Sequence, residues 1–370
     1  MLVVNAGSSS LKLSVLGDDD AMLMSRDLAM PDPGAIGELL GQALEDAPAV
    51  DVVGHRVVHG GLEFTSPVLL EGAAESRLEK LADLAPLQNP PAIAAILSLQ
   101  SRWPKLPQVA CFDTAFHVTI PPEASTYALP EAWRTWGVRR FGFHGLSHAW
   151  ASRRAAAVIG IPGERLRLVT AHIGSGASLA AVMGGRSVDT TMGFTPLEGL
   201  VMATRSGSVD PGLLLWVLRH EHMTVDEVEN ALDRRSGLLG LSGLSGDLRE
   251  VLAAADRGDE RSQLAFAVYL HRLRAMVAAM VAAMGGVDGL VFTGGAGEGS
   301  ARLRREACAG LAFLGIELDA SRNEDGGDEM VDRLLSRNGV SPAVVVVQAR
   351  EDLEIARQVR TLLGRSGPSE

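Results

Sequence analysis

The segment Gly7-Ser8-Ser9-Ser10-Leu11-Lys12 joins a glycine, a run of hydroxyls and a cation, and its opening Gly-Ser pair returns in Gly174-Ser175-Gly176-Ala177-Ser178. Glycine lets backbone N–H groups come close to an anion, serine adds donors, and lysine adds charge without demanding a fixed shape. Plain hairpins use the same residues, and a chain with 41 glycines has many occasions for them. The pairing favours an anion. Each turn lies between strand-like segments, Leu2-Val3-Val4 and Leu13-Ser14-Val15 around the first, Leu168-Val169 and Leu179 to Val182 around the second. Two such units half a chain apart predict two related halves gripping one polyphosphate.

A third glycine turn, Thr293-Gly294-Gly295-Ala296-Gly297-Glu298, follows the apolar Leu290-Val291-Phe292. A strand, a tight loop and a helix start suit a nucleotide, but the spacing matches neither the P-loop nor the dinucleotide fingerprint, and close packing explains such glycines equally well. Other polar residues carry two readings each. Arg56, after a strand at 50–53 and within a glycine-flanked turn, lifts a guanidinium into a cleft or makes a surface ion pair. Asp113 ends the strand Val109 to Phe112, at the edge where α/β proteins place active sites, or caps a helix. His144 and His148 have the helical spacing of a metal pair, or are a cap and a surface histidine. Thr204-Arg205-Ser206-Gly207 and Asp210-Pro211 form a polar turn. Glu351 and Asp352 open the last helix, where the dipole favours acids with or without a metal.

The elements that must hold these residues are mixed α/β. Helices are predicted at 35–44, from the proline-rich 86–91 through Leu99, at 211–220, 225–234, 247–284, 301–311 and 351–363; further strands lie within 166–191 and at 343–347. Residues 116–150 are rich in aromatics, with seven of the 16 Phe, Trp and Tyr residues, and read as a junction. A length of 370 residues predicts two domains, and 46% hydrophobic with 21% charged residues predicts globular cores, with only the tail 365–370 left out. The net charge of −11 opposes nucleic acid and anionic membrane, so an anionic substrate must meet specific cations. Met1 leads straight into a strand, without a secretory leader, which predicts a cytoplasmic protein. Cys111 and Cys308 read as buried thiols. The apolar stretch Leu264 to Met284 is interrupted by His271, Arg272 and Arg274 and reads as a buried helix, not a membrane span.

Six ordered stretches closely resemble the acetate kinase family along the whole chain: Asn5 to Lys12, Gly54-His55-Arg56-Val57-Val58-His59-Gly60-Gly61, Phe112-Asp113-Thr114-Ala115-Phe116-His117, Phe141-Gly142-Phe143-His144-Gly145, Met192-Gly193-Phe194-Thr195-Pro196-Leu197-Glu198-Gly199-Leu200-Val201-Met202, and Thr204-Arg205-Ser206-Gly207. The resemblance implies the fold of acetate and sugar kinases, heat-shock chaperone ATPases and actin: two duplicated ribonuclease H-like domains with an active-site cleft between them. It assigns residues 1–117 plus 351–370 to an N-terminal acyl and phosphate domain, and 118–350 to a C-terminal nucleotide and dimerisation domain. It implies reversible, direct in-line transfer of phosphoryl from ATP to acetate, giving ADP and acetyl phosphate, with Mg2+ or Mn2+ as its substitute. Arg56 and Arg205 then hold acyl carboxylate and phosphoryl, His144 its equatorial oxygens, and Asp113 orients the site or a magnesium-bound water. Asn5 and Glu351 match metal positions. Ser8, Ser10 and Lys12, then His172, Gly174, Ser175 and Gly176, then Gly294, Gly295 and Gly297 match nucleotide positions, and Val58, Leu87, Phe143 and Pro196 a pocket for the acyl methyl. A cytoplasmic homodimer feeding acetyl-CoA formation is implied, with neither nucleic acid nor membrane as partner.

The chain departs from the family pattern in places. Gln88 stands for a common histidine, Ser175 for asparagine, Ala203 for glycine, and Ala349-Arg350 for Thr-Asn before Glu351. A propionate or other short-chain acyl kinase is therefore a second reading, and a non-catalytic nucleotide-switched binding protein a third. The retained Arg56, His144 and Arg205 weigh against the third, because an ATP switch needs no acyl-carboxylate site.

Overall fold

The structure, a computed structural model, describes every residue except Ser8, Ser9, Ala73, 83–84, 86–87, 325–330 and 366–370. The expected site residues Ser8 and Leu87, and nearly all of the tail, thus lie outside the described residues. The chain divides into two units: residues 1–118, 143–150 and 350–370, and residues 119–142 and 151–349. Residues 143–150, assigned above to the C-terminal domain, cluster with the first unit.

The first unit is built on six strands, β1 (Leu2–Ala6), β2 (Ser10–Leu16), β3 (Met22–Ala29), β4 (Val53–Val57), β5 (Val68–Leu69) and β6 (Gln108–Phe112), in the order β3-β2-β1-β4-β6-β5. β1, β4 and β6 are parallel neighbours; β2, β3 and β5 pair antiparallel. Side chains alternate across such a sheet. Leu2, Val4, Ala6, Val53, Val57, Ala110 and Phe112 join the core that includes Ile36, Leu40, Ala92, Ala95, Ile96 and Leu99 of helices Ile36–Ala43 and Asn89–Arg102. The opposite register, Val3, Val109 and Cys111, packs with Ile355, Ala356 and Val359 of the terminal helix Glu351–Leu362. By parity Asn5 follows Val3, Arg56 follows Gly54 and Asp113 follows Cys111 on that second face.

The second unit repeats the plan. β7 (Arg167–Ile173), β8 (Ala177–Met183), β9 (Arg186–Thr190), β10 (Gly289–Thr293), β11 (Arg333–Leu334) and β12 (Ala343–Val346) lie in the order β9-β8-β7-β10-β12-β11. Every pairing direction matches the first sheet, including a two-residue antiparallel edge beside the last parallel strand. Asn5 pairs with Lys12 and Arg56; His172, at the equivalent place, pairs with Ser178 and Thr293. The duplication read from two hairpin turns thus extends to whole sheets.

Some elements differ from expectation. Arg56 lies inside β4, paired in register on both sides, not in a turn; the strand runs on past the apolar run at 50–53 because Gly54 and His55 continue the ladder. His144 precedes the helix Gly145–Ile159 with a positive φ of 55°, and His148 is wholly buried, so neither the helical metal pair nor the surface histidine is found. The predicted helix 247–284 is two helices, Leu248–Asp256 and Glu260–Ala283, because Gly258 turns at φ 91° and the Asp259 carboxylate caps Ser262 N–H at 2.7 Å. β3, β5 and β11 were not anticipated; the first is a half-exposed edge and the others are too short to show a period. Helix Glu260–Ala283 is long and apolar enough to cross a membrane, but it packs on β8 and β9 and buries Ala265, Phe266, Tyr269, Leu270, Leu273, Val277, Met280 and Val281.

Gly54 is where the terminal helix closes on the sheet: a Cβ there would lie 2.6 Å from Ile355 Cγ2 and 3.0 Å from Val359 Cγ2. Gly54→Val should destabilise the protein by about 1–3 kcal/mol through overpacking. A lowered denaturation midpoint with unchanged m checks this, and an unchanged midpoint refutes it.

Candidate active site

β1, β4 and β6 run parallel, so Asn5, Arg56 and Asp113 emerge together at their C-terminal ends, on the face covered by the terminal helix. Arg56 donates to Asp113 Oδ2 through Nε at 3.0 Å and Nη2 at 2.6 Å, and to Asn5 Oδ1 through Nη1 at 3.0 Å. Glu351, in the first turn of the helix, accepts from Asn5 Nδ2 at 2.7 Å and lies 3.6 Å from Arg56 Nη1. Four residues distant in sequence thus form one knot. Burial works against the Arg56 charge, yet Asp113 and Glu351 outweigh it and hold the guanidinium above its ordinary pKa. Burial, then the Glu351 charge, raise the Asp113 carboxyl against the pull of Arg56.

With both acids ionised, two carboxylates face one guanidinium. Asp113 is wholly buried, and among the described residues no hydrogen bond of ordinary geometry reaches its Oδ1. An orphaned carboxylate oxygen, a second carboxylate and an amide oxygen are hard donors of the kind Mg2+ selects, so the residues fit that ion. Among the described residues no group of three or more His, Cys, Asp or Glu side chains could hold a metal alone. Mg2+ characteristically completes its shell with waters and substrate phosphates. Lys12 shares the Asn5 side of the ladder, but its ammonium is exposed and lies 3.6 Å from Asp27. Ser10 accepts from Gly7 N–H at 2.9 Å through its backbone, closing the first hairpin.

The loop after β4 is pinned by Asn89. Asn89 accepts from His59 N–H at 3.1 Å and donates to the His59 and Leu81 carbonyls at 3.1 and 3.0 Å. Gly61 N–H donates to His59 Nδ1 at 2.9 Å, which puts the ring proton of the neutral form on Nε2. Phe143 stands edge-on to His59 with centroids 5.3 Å apart, and Val58 and Phe143 are both buried. His117 Nε2 donates to Phe143 O at 3.0 Å. Gly145 leaves no room for a Cβ, because Asp113 O occupies that space. His144 is thereby held beside Asp113 in a left-handed conformation that non-glycine residues seldom adopt. Gln88 is also buried.

In the second unit, His172 lies one residue before the end of β7, and Gly174 N–H donates to Gly176 O at 2.9 Å to close the hairpin. β10 runs into Gly294, whose φ of 79° and contacts with the Ile173 backbone exclude any side chain. Gly174, Ser175, Gly295, Glu298, Tyr269 and Arg304 help line a cavity of about 940 Å3. Gly297 is buried beneath it. Arg304 was not foreseen, since Arg302-Leu303-Arg304-Arg305 reads as a charged helix surface. It is buried, donates to the carbonyls of Gly297 at 2.8 Å and Glu298 at 2.5 Å and to Asn323 Oδ1 at 2.8 Å, and so clamps the glycine turn; burial lowers its pKa to about 10. Ala203 donates its N–H to Ser175 O at 3.0 Å and lines the same cavity, and Ala349 N–H donates to Glu298 Oε1 at 3.0 Å. Arg205 lies 3.6 Å from Asp233 and donates to Pro196 O at 3.4 Å; burial lowers its pKa against the pull of Asp233.

Two six-stranded sheets of identical topology, each with a glycine hairpin, one carrying a buried Arg-carboxylate knot and the other a large cavity beside a second glycine turn, define the actin-like fold of the acetate and sugar kinases. The Acetokinase family model matches residues 35–357. An acetate kinase of Synechococcus sp. (strain JA-2-3B'a(2-13)) is 45% identical over 403 residues, covering 98% of this chain and 99% of the relative. Among solved structures, Porphyromonas gingivalis acetate kinase has a TM-score of 0.89 at 36% identity, covering 98% of this chain and 99% of that one. A propionate kinase from Francisella tularensis subsp. tularensis SCHU S4 has a TM-score of 0.87 at 34% identity, covering 96% and 98%. The chain belongs to the acetokinase family and is a phosphotransferase.

His55, bonded through Nε2 to Gln108 Oε1 at 2.7 Å, and His117 are buried, and desolvation lowers both pKa values to about 4 from 6.5. Between those values the unfolded chain binds more protons than the folded one, so stability is full above pH 6.5 and is lost as pH falls toward 4. Urea midpoints should fall across this window, and His117→Gln should flatten the slope. An equally steep slope in both His55→Gln and His117→Gln would contradict the assignment.

Proposed function

We propose that this chain is an acetate kinase that, with Mg2+, transfers phosphoryl reversibly between ATP and acetate to give ADP and acetyl phosphate. The observation that carries this is the buried Arg56–Asp113 pair with Asn5 and Glu351, kept intact in a chain of this family. A carboxylate acceptor is already deprotonated at pH 7, so the reaction needs positioning and neutralisation of charge, not a strong base. Three of the five guanidinium N–H donors of Arg56 are used by Asp113 and Asn5, which leaves two for an acyl carboxylate or phosphoryl group. Asp113 fixes the plane of that guanidinium. Arg205, half-buried with one distant carboxylate, neutralises charge on the transferring group, and His144 donates to its equatorial oxygens. Asn5, Glu351 and the free Asp113 oxygen would hold Mg2+, which when bound supplies neutralisation of phosphate charge.

Ser8, Ser10 and Lys12 serve the nucleotide phosphates in this scheme, as do His172, Gly174, Ser175 and Gly176, while Gly294, Gly295 and Gly297 form the adenosine side. Val58, Leu87, Phe143 and Pro196 receive the acyl methyl. The ATP substrate and the family's chemistry support a cytoplasmic enzyme whose product is an activated acyl group for acetyl-CoA formation. Trapping acyl phosphate as hydroxamate should give product with acetate, abolished by EDTA and restored by Mg2+. Propionate should be poorer, because one methylene in such a pocket is worth about 1–3 kcal/mol. Arg56→Ala and Arg205→Ala should each lower kcat by roughly 10²–10³-fold. ATP binding without hydroxamate from any short acid would refute the proposal, and near-normal turnover in either variant would refute that residue's role.

A homodimer is proposed through the second unit. Helices Pro211–His220 and Val225–Arg234 bury no residue, while Leu213, Leu215 and Trp216 are about half exposed. Such a patch fits a second copy of the chain. Light scattering should give twice the chain mass, and Leu213→Glu with Trp216→Glu should yield monomer; a monomeric wild-type protein at micromolar concentration would exclude the dimer.

A further inference from the structure

The motif from Met192 to Leu200 forms a loop with no strand pairing and little apolar burial before Gly199 and Leu200, apart from Met192 itself and Gly193. A polar network holds it. Arg140 Nη1 donates to the carbonyls of Thr190, Thr191 and Met192 at 3.2, 3.2 and 3.0 Å, and Nη2 donates to Glu198 Oε1 at 2.8 Å. The Tyr127 hydroxyl donates to Glu198 Oε2 at 2.5 Å and accepts from Phe194 N–H at 2.9 Å. The Arg140 guanidinium also lies over the Tyr127 ring at 5.5 Å. The ring of bonds closes on the loop itself, entering at Met192 and Phe194 and leaving at Glu198.

Its fit is tight. A Cβ on Gly193 would strike the Glu198 carboxylate and the Tyr127 hydroxyl, while Phe141 and Gly142 N–H groups donate to Gly193 O at 3.0 and 3.3 Å. Between the fixed points stands Pro196, whose carbonyl takes the Arg205 hydrogen bond. Arg205 Nε also lies 3.6 Å from Asp233 and Nη1 3.9 Å from Met202 Sδ, so the Pro196 carbonyl is the shortest of three contacts that hold the guanidinium. Burial and the bond to Glu198 raise the Tyr127 pKa, so its hydroxyl stays a donor throughout the neutral range.

We propose, on the kinase reading above, that Tyr127, Glu198 and Arg140 are positioning residues: they set the loop 192–200 and, through the Pro196 carbonyl, aim Arg205 for phosphoryl transfer. None of the three need touch substrate. Arg205 must be held closely for its charge to act, since a misplacement of about 1 Å can cost on the order of 100-fold in rate.

The test uses the full chain with Tyr127→Phe and Glu198→Gln, alone and each with Arg205→Ala. Each single variant should lower kcat about 10- to 100-fold while KM for ATP stays within about twofold. With Arg205 already removed, the same substitutions should cause no further loss. Losses that multiply in the Arg205→Ala background, or unchanged kcat in Tyr127→Phe, would overturn the proposal. Hydrogen exchange supplies a readout independent of turnover: amides of Phe194 and Met202 should exchange faster in both variants while β1 and β4 are unaffected. Unchanged exchange at those amides would overturn the network. A wild-type protein that makes no acyl phosphate would overturn the kinase reading alone, because the exchange result stands separately.

Discussion

The arrangement of the first unit depends on one buried ion pair, Arg56 with Asp113. Taking both charges out of water is costly, and a well-packed apolar pair would often serve folding as well or better. The pair persists with Asn5 and Glu351 around it, and its geometry leaves two guanidinium donors and one carboxylate oxygen unspent. That surplus suits a site better than a core. Low local polarity also strengthens whatever charge these groups meet. Three parallel strands and one helix start are needed to bring the four residues together, so the sheet order and the docking of the terminal helix on Gly54 serve the same end.

The second sheet shows what duplication preserved and what it released. His172 and Thr293 occupy the register of Asn5 and Arg56, and among the described residues the buried Thr293 hydroxyl has no partner. Neither position holds an arginine. Beside the strand ends of the second unit, Gly294 allows the chain to double back on Ile173 and a cavity opens next to the turn. Identical topology therefore carries two different local structures: a knot of charged side chains at the strand ends of the first unit, and closely approaching backbone at those of the second.

Loops rather than strands set the finer geometry. His144 keeps an uncommon conformation because Gly145 lies against Asp113 O and His117 ties down Phe143. Arg304 clamps the glycine turn with a buried guanidinium bonded to carbonyls and Asn323. In both places polar bonds give direction that apolar contact alone could not.

Periodicity and local chemistry made much of the fold legible. The apolar runs of β1, β7, β10 and β12, the glycine turns after the first three and the long helices all follow from patterns within a few residues. The same patterns, with six motifs in order, identified the fold, the family and the candidate residues Asn5, Arg56, Asp113, His144, Arg205 and Glu351. Short edges such as β5 and β11 left no trace, because two residues have no period. Arg56 read as a turn residue because glycine and polar neighbours mask a strand whose ladder is formed by distant partners. Arg304 read as surface for the same reason: nothing within its helix reveals that Gly297, Glu298 and Asn323 enclose it. Local sequence determined which elements form and which residues carry charge. Only the tertiary structure decided which charges meet, since pairing Asn5 with Arg56, Asp113 and Glu351 requires non-local strand register and burial that no short stretch of the chain contains.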